Sequence, residues 1–247
     1  MQIIIAPAKK MTVDTDSFAT RSMPQFIRET AAIFMTMKAW NYEQAKQIWQ
    51  TSDRLTRSNF NYLQQMRLDG PLTPAVMAYV GIQYQSMAPD LLTKPQLDYL
   101  QGHLRIMSGF YGLLRPFDGI VPYRLEMQAR LQIGIAKNLY AFWGSKLHDA
   151  LDFTHGPVIN LASQEYTKAV RPFLSVDEQL VDIEFGRLEN GRVKMRATRA
   201  KMARGAMVRY MAVHNVDSVK QIEAFDDPDY QFAAELSTPT KLVFIER

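Results

Sequence analysis

The sequence predicts an α/β (mixed α+β) protein: a single compact domain over residues 1–247, with a mixed central sheet and many surrounding helices. Three observations carry this prediction. Short β-rich runs stand at both ends of the chain, QIIIA at 2–6 and KLVFIE at 241–246, with VINLAS at 158–163 between them. The stretch from about 24 to 110 has helical spacing and helix-opening prolines. Asn190-Gly191 separates two alternating segments, the signal of a tight hairpin.

Gln2 to Ala6 is apolar and β-branched before Ala-Pro-Ala-Lys interrupts it, so it reads as a buried strand delivering Lys9 to a loop. Pro24 suits the first turn of a helix through QFIRETAAIFMTMK. Ser52 and Asp53 can cap the next stretch to about Met66, and Pro74 and Pro95 can each open another helix.

The block HLRIMSGFYGLLRPFDGIVPYRLEM occupies 103–127. Leu104, Met107 and Phe110 continue the helical spacing, and Gly109 falls where that helix should end in a left-handed cap. A second helix beginning just beyond would expose N–H groups at Gly112 and after it to a phosphate. That is the helix-hairpin-helix principle, which grips a nucleic-acid backbone without reading its sequence. Phe110 and Tyr111 put two residues between the glycines rather than one, and Pro116 limits where a second helix can start. The alternative is a tight corner between core elements.

Later in the chain, the strand at 158–163 should release Asn160, Ser163, Glu165, Tyr166 and Lys168 at its carboxyl end, where ligands sit in α/β sheets. Alternatively, Ser163 only caps a helix. The second hairpin arm, RVKMRATR from Arg192, places Val193, Met195 and Ala197 on one face and Arg192, Lys194, Arg196 and Thr198 on the other.

The formal charge is +4 and the pI is near 9.2, which points to an anionic partner without requiring one. The local signal is stronger, because Asn190 to Val216 contains no acid and seven basic residues. On a helix from about Ala200, Lys201, Arg204 and Arg209 share a face with Gly205 and Val208 between them, while Ala203, Ala206, Met207 and Tyr210 face the core. Gly205 costs such a helix about 1 kcal/mol relative to alanine, so either a ligand approaches closely there or a neighbouring helix needs the room. Phosphate suits arginine forks and lysine point charges. Arg124, beside Tyr123 and Glu126, reads as an internal ion pair or a ligand clamp.

With no cysteine the chain has no disulfide, thiolate metal site or iron–sulfur cluster. The N-terminal isoleucine run is far shorter than the roughly 7–15 apolar residues of a signal peptide, and nothing approaches a membrane span, so a cytoplasmic protein is expected. No GxGxxG, GxxxxGK, HExxH or GxSxG is present. His103, His148, His155 and His214 lack ligand spacing, so neither a metal nor a cofactor is expected. VDEQLVDIE could bind a hard cation, and exposed acids explain it equally.

Five blocks together carry a resemblance: IIIAPAK at 3–9, the 103–127 block, KNLYAFWG at 137–144, VINLASQEYTKAV at 158–170 and AKMARGAMVR at 200–209. Nearly end to end, the chain resembles the YaaA family of peroxide stress proteins. The resemblance implies a cytosolic bacterial protein that helps cells withstand hydrogen peroxide by limiting free iron. It also implies a single-domain α/β fold with a positively charged cleft, a helix-hairpin-helix-like element and binding to duplex or branched DNA. The family's basic and motif positions match Lys9, Arg105, Arg115, Arg124, Lys137, Lys168, Lys201 and Arg204; with Gly109, Tyr111, Gly112 and Arg209 they form the expected DNA-binding set. The family commonly has serine at the position of Ala6, lysine at that of Met202 and a GDVYxGL-like block where this chain has GIQYQSM at 81–87. A second expectation is an enzyme acting on a nucleobase, nucleotide or other phosphate-bearing molecule, with Lys9, Arg124, Asn160, Ser163, Glu165 and Tyr166 converging in a deep pocket. A shallow groove would remove that reading. A third is iron sequestration by carboxylates. The 103–127 block and the basic helix are expected to line one cleft.

Overall fold

Continuous apolar runs, unlike alternating ones, make strands buried on both faces. The computed structural model describes residues 1–247 and places such runs at the centre of an eight-stranded sheet. Its strands are β1 (Gln2–Ile5), β2 (Leu104–Ser108), β3 (Gly112–Leu114), β4 (Val158–Leu161), β5 (Leu180–Glu189), β6 (Arg192–Lys194), β7 (Tyr230–Phe232) and β8 (Lys241–Glu246). The spatial order is β7-β8-β5-β4-β1-β2-β3, with β6 on the far end of β5. The inner five run parallel, and β3, β6 and β7 pair antiparallel at the margins. Ile3, Ile4 and Ile5 are fully buried, and Ile5 lies opposite Ile106 on one side and Leu161 on the other.

From β1 the chain crosses to β2 on one side, and from β4 it crosses to β5 on the other. The carboxyl ends of β1 and β4 therefore mark the point where the strand order reverses, and the loops leaving them diverge to open a crevice.

Around the sheet lie α1 (Ile27–Lys38), α2 (Tyr42–Trp49), α3 (Asp53–Gln65), α4 (Ile82–Met87), α5 (Lys94–His103), α6 (Leu139–Trp143), α7 (Gln164–Thr167) and α8 (Ala197–Val213). Asn41 starts α2 with a reciprocal cap, in which Gln44 N–H donates to Asn41 Oδ1 and Asn41 N–H to Gln44 Oε1, both at 2.9 Å. No helix is long and apolar enough to cross a membrane.

The 103–127 block departs from expectation. Helix α5 ends at His103 and Leu104 turns extended, because Leu104, Ile106 and Met107 are drawn into the sheet beside β1, where all three are fully buried. SGFYG is therefore a β-hairpin turn joining β2 to β3, with Ile106 opposite Leu114. No helix-hairpin-helix forms at 103–127, and Gly109 is not a left-handed cap; the left-handed residue is Gly112, at φ +78°. The N–H groups of Phe110 and Tyr111 both donate to Ser108 Oγ, at 3.2 and 2.8 Å, and so have no capacity left for a phosphate.

The second hairpin forms where expected, with Asn190 at φ 50° and Gly191 at φ 73°, as a two-residue turn of this hand requires. Its second arm is shorter than the alternation suggested. Only Arg192–Lys194 pairs, and α8 takes over at Ala197.

Candidate binding cavity

At the carboxyl ends of β1 and β4 lies a cavity of about 540 Å³. Five separate segments build it: the loop Ala6 to Lys10 after β1, Gly81 to Tyr84 at the start of α4, Tyr123 to Glu126, Ser163 with Glu165 and Tyr166 at α7, and Lys201 with Arg204 on α8.

The SGFYG hairpin sets the Tyr123–Glu126 wall. Phe110 stacks on Tyr123 with ring centroids 4.9 Å apart, and Tyr123 Oη lies 2.6 Å from Ser108 Oγ and 2.8 Å from Tyr79 Oη. Trp49 Nε1 donates to the Arg124 carbonyl at 2.6 Å, so both ends of this short segment are tied to the core. Behind the β1 loop, Tyr84 Oη donates to the Ala6 carbonyl at 3.0 Å. Asn160 does not enter the cavity. It holds the loop after β4, accepting from Ala162 N–H at 3.0 Å and Thr167 Oγ1 at 3.2 Å while donating to Asp182 at 2.7 Å. That loop brings Ser163 to the N-cap position of α7 without a capping hydrogen bond, leaving its hydroxyl at the cavity.

Gly205 makes room for α4: a methyl group there would collide with the Gln83 carbonyl oxygen. Of its two sequence readings, the neighbouring helix is the one found. Gly205 and Val208 lie in the interior with Ala203, Met207 and Met211, so the basic face of α8 is narrower than its spacing suggested.

Five cations, Lys9, Lys10, Arg124, Lys201 and Arg204, face two carboxylates, Glu126 and Glu165. Glu126 Oε1 is shared by Arg124 Nη2 at 2.8 Å and Lys9 Nζ at 3.3 Å. Burial pushes the Glu165 carboxyl above its ordinary value; the Gln128 N–H opposes this and the charge of Glu126 adds to it. Burial also pushes the Tyr123 hydroxyl up to about 12, against hydrogen bonds from Ser108 and Tyr79 that lower it, and holds Tyr166 well above its usual range. The tyrosines are therefore neutral at physiological pH.

Arg204 is 9% exposed and has no carboxylate partner. Its Nη2 contacts only Met195 Sδ, at 3.9 Å, and burial lowers its pKa. Its Nε has no acceptor, and neither does Arg124 Nε nor Gln83 Nε2. Buried polar groups are almost always paired, and each orphan costs about 1–3 kcal/mol. Here three N–H donors around one cavity are left open, which suits an acceptor-rich, anionic ligand.

The structure thus brings together Lys9, Arg124, Ser163, Glu165, Tyr166, Lys201 and Arg204 from the expected residues, and the 103–127 block and the basic helix do share the cavity. The others stand apart. Arg105 donates to the Gln101, Gly102 and Leu104 carbonyls and closes the end of α5. Arg115 pairs with Asp118, and Arg209 caps α4 through the Met87 and Ala88 carbonyls at 3.4 and 3.1 Å. Gly109, Tyr111 and Gly112 are inside the hairpin packing, and Lys137 and Lys168 are exposed without lining the cavity. Lys10, Gln83 and Tyr84 were not anticipated; of these only the tandem Lys9-Lys10 at a strand end carried a sequence signal. Ala6 and Gly81 to Tyr84, where the chain departs from the family pattern, line the cavity.

No three His, Cys, Asp or Glu side chains come together in a way that could hold a metal ion. Three of the four acids of VDEQLVDIE are engaged elsewhere, Glu178 with His148, Asp182 with Arg171 and Glu184 with Lys241.

A family model described as "Peroxide stress protein YaaA" matches residues 1–236. A protein of Lactiplantibacillus plantarum named "UPF0246 protein" is 53% identical over 245 residues, covering 99% of each chain. A Pediococcus pentosaceus protein of the same name is 54% identical over 246 residues, covering 100% of this chain and 98% of its own. One from Lachnoclostridium phytofermentans is 45% identical over 246 residues, covering 100% and 96%.

Proposed function

The chain belongs to the YaaA family of peroxide stress proteins, and we propose that it serves the peroxide response by gripping DNA, without strong sequence preference, through the cationic cavity at the β1/β4 crevice. One observation carries this reading: Arg124, Lys201 and Arg204 surround a cavity whose unpaired buried atoms are all N–H donors. Such a site takes phosphate oxygens, and backbone phosphate is the part of DNA that carries no sequence information. Cations seated on phosphates also displace metal ions from the DNA surface, which is how binding would limit iron-dependent damage.

Fluorescence anisotropy of labelled DNA across a salt series tests the proposal. Binding should weaken steeply with salt, and Lys201→Glu with Arg204→Glu should lower the slope by about two units. An unchanged slope removes the cavity from the interface.

The convergence of Lys9, Arg124, Ser163, Glu165 and Tyr166 on one cavity of about 540 Å³ supports a second reading, an enzyme acting on a nucleotide or other phosphate-bearing molecule in the same place. Glu165, whose carboxyl burial raises above its ordinary value and which lines the cavity with Ser163, is the group placed to donate or hold a proton. Turnover of such a substrate that is lost in Glu165→Gln, with binding retained, supports this reading over simple gripping.

A further inference from the structure

The buried cation of the cavity touches a sulfur that solvent can reach. Met195 lies in the two-residue link between β6 and α8, and its Sδ is the only acceptor that Arg204 Nη2 meets, at 3.9 Å. The link is tied on both sides, by Lys194 to Glu189 at 2.9 Å and by Arg196 and Arg199 to Glu246 at 3.9 and 3.5 Å. These pairs hold Met195 beside the guanidinium. Met195 is nevertheless 49% exposed and stands outside the cavity lining, so a small reagent reaches the sulfur without entering the cavity.

A thioether is a weak acceptor, which is why this contact leaves Arg204 short of a partner. Hydrogen peroxide changes the acceptor. The sulfur attacks one peroxide oxygen, and the S–O bond forms as the O–O bond breaks. The proton on the transferred oxygen passes to the departing one, which leaves as water; the sulfur is oxidised by two electrons and the peroxide is reduced. The product is a polar sulfoxide on a flexible side chain, and rotation at its end brings the new oxygen to the Arg204 N–H groups. Methionine sulfoxide reductases reverse the change, removing the oxygen as water at the expense of two thiols.

Resting on the reading of the cavity as an anion site, we propose that Met195 is a peroxide-modification site that controls it. As a thioether, Met195 leaves the Arg204 guanidinium open to a phosphate. As a sulfoxide, it pairs with that guanidinium and competes with the phosphate for the same N–H groups.

Peptide mass spectrometry, with calorimetry using inorganic phosphate and a nucleoside monophosphate, tests this on the full chain before and after limited peroxide treatment. Met23, also 49% exposed, has no N–H donor at its sulfur and serves as the internal control. Affinity should fall about tenfold as the Met195 sulfoxide accumulates, and recover after treatment with the reductases. The fall should persist in Met23→Leu and be absent in Met195→Leu. Met195→Gln, whose amide oxygen is also a strong acceptor, should bind as weakly as the oxidised chain with no peroxide added. In the ligand-free chain, the nitrogen NMR signal of Arg204 Nε–H should move with the same oxidation. A Met195 that stays reduced while Met23 is oxidised, or a sulfoxide that leaves either the affinity or the Arg204 signal unmoved, overturns the switch while leaving the anion site standing. An untreated chain that binds neither probe overturns the anion site, and the switch with it.

Discussion

Gly109 lies so close to Leu125 that a methyl group placed on it would sit 3.0 Å from the Leu125 carbonyl oxygen, with Glu126 and Met127 backbone atoms at the same distance. The glycine in the hairpin turn is thus a seat for the segment carrying Arg124 and Glu126. Gly109→Ala should destabilise the fold by about 1–2 kcal/mol. Because it displaces the cavity wall, it should also weaken ligand binding by about tenfold. Thermal melts and anisotropy on the same preparation check both.

Arg204 is expected to oppose folding and serve binding. Arg204→Met keeps an apolar stem in the space but removes a buried donor with no acceptor, which should stabilise the free protein by about 1 kcal/mol. For a chain of this size that raises Tm by about 2–4 °C. Anion binding should fall by more than tenfold, and a variant that melts lower and binds normally would show that the guanidinium is a structural contact.

Gly205 and Gly102 should respond oppositely to the same change. An alanine at Gly205 meets the backbone of Gln83 and should cost about 3 kcal/mol by forcing α8 from α4. Gly102, near the end of α5, has nothing within 4 Å of an added methyl, so Gly102→Ala should be neutral or stabilising by up to about 1 kcal/mol. Paired chemical melts measure the difference.

Stability should also fall as pH rises above the ordinary histidine value because of His148. Burial works to lower its pKa, but hydrogen bonds to Asp149 at 2.9 Å and Glu178 at 2.7 Å outweigh that and raise it. A raised histidine pKa stabilises fully below the unfolded value of about 6.5 and loses that contribution as pH passes the folded value. Melting temperature followed from pH 6 upward should therefore step down, and Glu178→Gln should flatten the step.

What the sequence revealed and what it hid have physical causes. The strands at 2–5, 158–161 and 241–246 were legible because continuous apolar runs bounded by turn residues have few alternatives, and Asn190-Gly191 because few pairs accept two left-handed residues in succession. The 104–108 strand was hidden: LRIMS continues a helical spacing, and only pairing with a strand a hundred positions earlier decides otherwise. At the site, Lys201 and Arg204 were readable from an acid-free run. Arg209, Arg115 and Arg105 looked the same in sequence yet end on backbone carbonyls or Asp118, because an arginine's partner depends on folding neighbours that charge spacing does not encode.

The position of β1 bears on how the molecule is made. Its three isoleucines leave the ribosome before either neighbour, since one flank waits for Leu104–Ser108 and the other for Val158–Leu161. Long loops must close before the central strand gains either partner, the condition for slow assembly. Throughout that delay a short, uncharged β-forming segment stays unpaired, open to pairing with another chain. Yield in a cell should therefore depend on chaperones that shield emerging chains, and more so at high expression.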